Sequence, residues 1–229
     1  MIAGAPGSYK SVFALNMLAL WAGHGITQLY CSADSDEFTV AKRMASMLTG
    51  ESTDQVEKTM ANDRAKYAGV LRHLDPARFV FTPMNIDSID THMRAFESMY
   101  GAFPDVVFVD NLINAVDDPT DWGGMIRLLR DLDVLAREAR SHVCVLHHAS
   151  EGWSMNNPGK PPPSYAIQGK VNQIPRLILT LGAEGRSLGL ACVKNTNGPQ
   201  SPQARDVIGF GVAPSLRVTE LYSQPVMSA

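Results

Sequence analysis

The sequence predicts an α/β chain: helices on both faces of a mainly parallel sheet, extended near the C-terminus by antiparallel strands. Three observations predict it. Apolar runs of strand length alternate with amphipathic runs of helix length nearly throughout, the pattern of a parallel sheet covered by helices. A glycine-containing turn at residues 4–7 joins the first apolar stretch to a long helical one. The last apolar runs, from residue 176 onward, crowd together without helices between them, as antiparallel strands do. At 229 residues the chain has the length for one large domain with a full core. It has neither a sequence repeat nor a domain-sized linker, so one domain over 1–229 is expected.

The elements follow in order. Met1–Ala3 is a short first strand, and a helix is expected at about 10–22, where "KSVFALNMLALWA" is apolar almost all round. "QLYCS" at 28–32 reads as a strand, and an acidic cluster then opens a helix at 36–48. There Asp36 and Glu37 favour the dipole of the first turn, and Met44 and Met47 lie on the apolar side. A long helix at 54–73 leads to "RFVFT" at 78–82, an aromatic and β-branched strand. Helices at 87–99 and 121–140 flank the apolar strand at 105–109, and "HVCVLH" at 142–147 is the next strand. "ASEGWSMNNPGKPPPSY", 149–165, breaks the rhythm with Gly, Pro, Asn and Ser and predicts a long mobile loop, followed by a helix at 165–173. Strands at 176–181, 187–193, 206–212 and 215–221 close the chain.

Bulk properties exclude several classes. With 20 basic and 23 acidic residues the net charge is −3, so no global basic field draws the chain onto nucleic acid or an anionic membrane. Contact with nucleic acid must be local or created by assembling several copies. The longest apolar stretch is too short to span a bilayer, and no basic segment precedes it as in a signal peptide. Cys31, Cys144 and Cys192 each lie in a strand-like run, which suggests reduced core thiols in a cytoplasmic protein.

The chemistry starts at "GAPGSYKS", residues 4–11. Gly4, Ala5, Pro6, Gly7, Ser8, Tyr9, Lys10 and Ser11 follow the spacing G-x-x-x-x-G-K-[ST], except that Tyr9 stands where the second glycine belongs. A strand, a turn and a helix starting near Lys10 would aim backbone N–H groups and the helix dipole at one point, where a triphosphate binds. Lys10 would then reach the β/γ-phosphates and Ser11 would ligate Mg²⁺. A tyrosine forced into a left-handed backbone costs roughly 1–2 kcal/mol, so weak binding or an altered loop shape is expected. The bland alternative is a turn before a buried helix.

Two carboxylates support the nucleotide reading. "DVVFVDNL" is a buried strand ending in Asp110, where an acid beside a phosphate loop holds magnesium directly or through water. Asp34, after the "LYCSAD" strand, is placed to orient a water for attack on the γ-phosphate. Either residue taken alone is also ordinary turn or capping chemistry.

The order of these motifs, with Arg43-Met44 on the following helix, "LHHAS" at 146–150 and "KNTNG" at 194–198, resembles the ATPase core of RecA/DnaB-type proteins over essentially the whole chain. The nearest likeness is to DnaB-like replicative helicases and their phage or plasmid cousins. The resemblance implies a RecA-like three-layer core, ATP and Mg²⁺ as ligands (Mn²⁺ as a substitute), and a homo-oligomer such as a hexameric ring with active sites between subunits. It also implies a γ-phosphate sensor at His147 or His148, with His147 preferred. Trp153 and Lys160 in the loop, with Lys170 beyond it, would contact single-stranded or forked DNA. Lys194 would act on a neighbour's nucleotide. Asp34 replaces the family's usual glutamate, and Thr196 stands at the position of its finger arginine. A slow ATPase is therefore expected rather than a vigorous motor. The chain begins at the phosphate loop, so the primase-interacting domain and linker helix of full replicative helicases are expected to be absent, and autonomous fork unwinding with them. If phage-encoded, the protein would work in the host cytoplasm, in replication or recombination.

Two other classes compete with this reading. A metal-dependent, structure-selective nuclease on the same scaffold would use Asp34, Asp36 and Asp110 to gather Mg²⁺ or Mn²⁺. A loader or adaptor would bind nucleotide without turning it over.

Overall fold

The computed structural model describes residues 1–63, 65–116, 118 and 120–221. Nine strands form one sheet in the order β3-β2-β4-β5-β1-β6-β7-β8-β9. They are β1 (Ile2–Gly4), β2 (Gln28–Ser32), β3 (Ala77–Val80), β4 (Val106–Asp110), β5 (His142–His148), β6 (Leu177–Glu184), β7 (Ser187–Asn195), β8 (Val207–Val212) and β9 (Val218–Glu220). Strands β3 through β6 in this order are parallel, and β6 through β9 are antiparallel. The α/β class and the antiparallel extension are therefore as the sequence predicts.

Helices α1 (Lys10–Ala22) and α2 (Glu37–Thr49) cover one face, and α5 (Ile86–Tyr100) and α6 (Trp122–Ala139) the other. The period-two alternation of the strands feeds both layers. Tyr30, Phe108, Cys144 and Leu146 pack with Val12, Leu15 and Met44 under α1 and α2. Leu29, Val107, Val109 and Val145 pack with Met93, Met125 and Leu132 under α5 and α6. Both faces are covered, which explains the continuous apolar strands β2 and β4. Cys31 and Cys144 are buried thiols, and burial pushes the Cys31 thiol up to about 12, whereas Cys192 is only half-buried.

Register brings the site together. Gly4 lies level with His148 on one side and Leu181 on the other, and Ser32 lies level with Asp110. All are C-terminal strand ends at one edge, where open α/β sheets bind ligands.

Three predicted elements change. The helix expected at 54–73 is α3 (Thr53–Asn62), α4 (Ala68–Leu71) and a 3₁₀ turn at Arg72–Leu74. Asp63 ends α3 in an extended conformation, and its carboxylate accepts from the Ala65 N–H at 3.0 Å, a local bond that competes with helix continuation; residue 64 lies outside the described residues. The predicted loop at 149–165 contains a short helix, α7 (Glu151–Asn156), and its prolines 161–163 are buried. This stretch crosses β6 so closely that a Cβ on Gly182 would collide with the backbone of Lys160 and Pro161. The helix expected at 165–173 is two 3₁₀ turns, Ser164–Ala166 and Gln168–Gln173, because Gly169 and Lys170 take φ of 75° and 53°. At the end of the chain β9 is shorter than predicted, since residues 213–217 form its turn, with Ala213 and Arg217 paired across it.

Candidate functional site

The loop after β1 is built by close approach. A Cβ on Gly4 would meet the Leu181 carbonyl at 2.5 Å and the Ser8 hydroxyl closer still, so only glycine fits. Gly7 (φ 78°) turns the chain, and Tyr9 takes the left-handed conformation at φ 60°, as the missing glycine demands. Its ring swings away, and its hydroxyl donates to the Gly185 carbonyl in the β6–β7 hairpin at 3.0 Å. No side chain caps α1, so the N–H groups of its first turn face the space in front of the loop. Lys10 folds back there, its Nζ donating to Gly4 O (3.1 Å) and Ala5 O (2.9 Å). Burial lowers its pKa to about 8, against the opposing pull of Asp110 and Asp34.

Asp110 ends β4 at 2 % exposure. Its Oδ2 accepts from the Tyr30 hydroxyl at 2.5 Å. Burial raises its pKa, opposed by hydrogen bonds from Tyr30 and Ser11; Tyr30 is in turn raised by burial and by Asp110. Beside this pair lies an open cavity of about 390 Å³ lined by Lys10, Ser11, Asp34, Arg43, Asp110 and His148, with Tyr9 and Leu216 among its walls. Asp34 sits in a turn fixed by Ser32, whose Oγ donates to Ser35 O at 2.8 Å, and it accepts from Asn114 at 3.4 Å.

The structure thus gathers Lys10, Ser11, Asp34 and Asp110, four of the residues singled out from sequence. Others it does not gather. His147 points to the opposite face of β5, fully buried, with Nε2 donating to Gln168 O at 2.9 Å. Burial drops its pKa to about 4. The strand's period of two instead turns His148 into the cavity, 3.4 Å from the Asn111 amide, so the preference for His147 is corrected to its neighbour. Asp36 caps α2, accepting from the Thr39 N–H at 2.7 Å. The three carboxylates of the nuclease reading do not converge, and among the described residues no three His, Cys, Asp or Glu groups could hold a metal ion. Lys194 is bound within its own chain, to the carbonyls of Asn172 (2.9 Å) and Gln173 (2.8 Å), and Thr196 is exposed. Trp153 lies on α7, half-buried, while Lys160 and Lys170 are exposed.

Tyr30, Arg43, Asn111 and Asn114 were not assigned from the sequence. Asn111, next to Asp110, and Arg43, two turns along α2 from its cap, carried the only signals.

A family model described as AAA domain matches residues 1–152. Two curated proteins are 31% identical. The Gene 65 protein of Mycobacterium phage L5 aligns over 218 residues, 90% of this chain and 79% of that protein. The Gene 65 protein of Mycobacterium phage D29 aligns over 227 residues, 90% and 91%. Among solved structures the fold is similar to an isolated ATPase domain, with TM-score 0.79 and 15% identity over 96% of this chain and 83% of that one. It is also similar to a DnaB-like replicative helicase whose interactions with primase are described, with TM-score 0.80 and 14% identity over 96% of this chain and 56% of that one. A KaiC-like protein, PH0186, from Pyrococcus horikoshii OT3 matches at TM-score 0.62 and 13% identity over 93% and 85%. The fold is that of a RecA/DnaB-like P-loop ATPase core.

Proposed function

The chain belongs to the AAA domain family, and from that premise we propose that it binds Mg²⁺-ATP on residues 4–11, hydrolyses it slowly and acts on DNA in replication or recombination. One observation carries this reading: Lys10, Ser11, Asp110 and Asp34 reach a single cavity at the C-terminal strand edge, in front of uncapped helix amides. The loop glycines, Gly4 and Gly7, with Ala5, Pro6, Ser8 and Tyr9, shape the cradle. Lys10 exchanges its two carbonyl partners for β/γ-phosphate oxygens. Ser11 and Asp110 form a hard-oxygen donor set suited to Mg²⁺, which keeps its remaining sites for water and phosphate. When bound, that ion neutralises charge on the phosphates. Asp34 orients the attacking water, and His148 stands where it can report the γ-phosphate to β5.

Turnover is slow because Tyr9 narrows the loop and Thr196 supplies no cation. Trp153, Lys160 and Lys170 offer single-stranded or forked DNA a stacking face and two charges, on a segment whose Met155 and Tyr165 are 83 % and 69 % exposed. The active unit is a homo-oligomer, with a hexameric ring the natural form. Lys194 orders the 168–173 turn within its own chain and reaches a neighbour only through it.

Calorimetry with saturating magnesium tests the reading. ATP should bind the wild-type chain and not Lys10→Ala, and absence of heat in both overturns it. Scission of fork-shaped DNA by divalent metal without nucleotide, lost in Asp110→Ala, would replace the motor with a nuclease using Asp34 and Asp110. Tight ATP binding without phosphate release would indicate the loader.

A further inference from the structure

Arg43 reaches the cavity from α2. Val40, Met44 and Met47 of that helix are buried against the sheet, which leaves Arg43 beside the stripe and half-buried at the strand ends. Its only hydrogen bond among the described residues is from Nη1 to the Ser35 hydroxyl at 3.3 Å, and it forms no ion pair among them. A guanidinium has five donors, so nearly all of its bonding capacity is free. The two acids sharing the cavity leave it so: Asp34 accepts from Asn114 and Asp110 from Tyr30. Ser35 itself is fixed, its N–H donating to Ser32 Oγ at 3.2 Å, which holds the guanidinium next to the turn that carries Asp34.

The other cations of the fold are occupied. Lys10 sits at the loop end of the cavity on two carbonyls, and Lys194 sits on two carbonyls elsewhere. Position 196, at the turn after β7, is a threonine. We propose that Arg43 is a catalytic residue acting in cis, donating to the γ-phosphate oxygens of the ATP bound by its own chain.

The inference rests on the nucleotide reading above. In the step it serves, water oxygen bonds to the γ-phosphorus as the bond to the β–γ bridging oxygen breaks. The electron pair stays on ADP, and the water proton passes by way of Asp34 to solvent. Negative charge on the transferring group and the bridging oxygen is what a planar, fork-shaped cation stabilises.

The test separates binding from turnover. With magnesium, Arg43→Ala should keep ATP and ADP affinity within about threefold of wild type and lose roughly 10³-fold in kcat, the low end for an arginine finger. ADP with aluminium fluoride, which mimics the transferring phosphoryl group, should bind wild type at least about a hundredfold more tightly than ADP does. Arg43→Ala should lose that preference, and Arg43→Lys should regain part of it. A mixture of Lys10→Ala and Arg43→Ala chains should remain inactive; recovered activity would mean action on a neighbour and overturn the cis assignment. Unchanged turnover or unchanged fluoride preference in a folded Arg43→Ala chain would overturn it as well, as would wild-type chains that bind ATP without hydrolysing it. Failure of wild type to bind ATP at all would instead sink the nucleotide reading.

Discussion

Residues 4–11 after β1 and residues 149–173 after β5 leave the sheet at the same edge, yet they are built differently. The first segment is sealed: Gly4 admits no side chain, Ser8 and Lys10 are buried, and Lys10 is tied to two carbonyls of its own loop. The second is pinned at its prolines and otherwise spread over the surface, with Met155 and Tyr165 open to solvent. Phosphoryl chemistry needs donors held in place before the ligand arrives, whereas a partner surface needs exposure.

The largest test of this contrast is Lys10→Ala. It should weaken ATP binding by at least about a hundredfold, the scale of a lost charge-assisted phosphate contact in a dry site. Single-stranded DNA affinity measured without nucleotide should not change. Calorimetry and fluorescence anisotropy on one preparation read both, and a parallel loss of DNA binding would erase the distinction.

Next comes acid. His147 titrates near 4 in the folded chain, below its ordinary 6.5, because burial disfavours the cation. Between those values the unfolded chain binds more protons, so its contribution to stability is complete above pH 6.5 and drains away as pH falls toward 4. The loss is roughly 3 kcal/mol. Urea unfolding at pH 7, 5.5 and 4.5 should follow it, and His147→Gln should flatten the curve.

A smaller effect is expected at the surface segment. Trp153→Ala should cost about 1–3 kcal/mol of DNA affinity, the usual worth of one stacked base, with ATP affinity unaltered. Lys160→Ala should reduce the slope of log affinity against log salt by about 1.

Tyr9→Gly should move stability least, by under about 1 kcal/mol, because relief of the left-handed backbone is offset by loss of the Gly185 bond and ring packing. ATP affinity should rise a few-fold. A fall would mean that the tyrosine helps hold the loop.

What the sequence revealed follows from what is local. Strands β2, β4 and β5 and helices α1, α5 and α6 carry their own periodicity, and Lys10, Ser11 and Asp110 carry a spacing that survives folding unchanged. The choice between His147 and His148 depended on which face of β5 meets the phosphate loop, and adjacent histidines differ only in that. Tyr30 and Arg43 were hidden because their roles arise across elements: a strand-centre hydroxyl meets a carboxylate 80 residues away, and a helix arginine meets a loop serine. The 165–173 segment failed as a helix at Gly169 and Lys170, whose backbone signs no composition argument supplied.

Gly182 joins the two segments compared above. It is covered by Lys160 and Pro161, and the residue before it, Leu181, sits level with Gly4 in the neighbouring strand. A pull on the proline-rich stretch therefore loads a fulcrum one residue from the cradle, and tension there travels through two adjacent strands instead of dissipating in a slack tether.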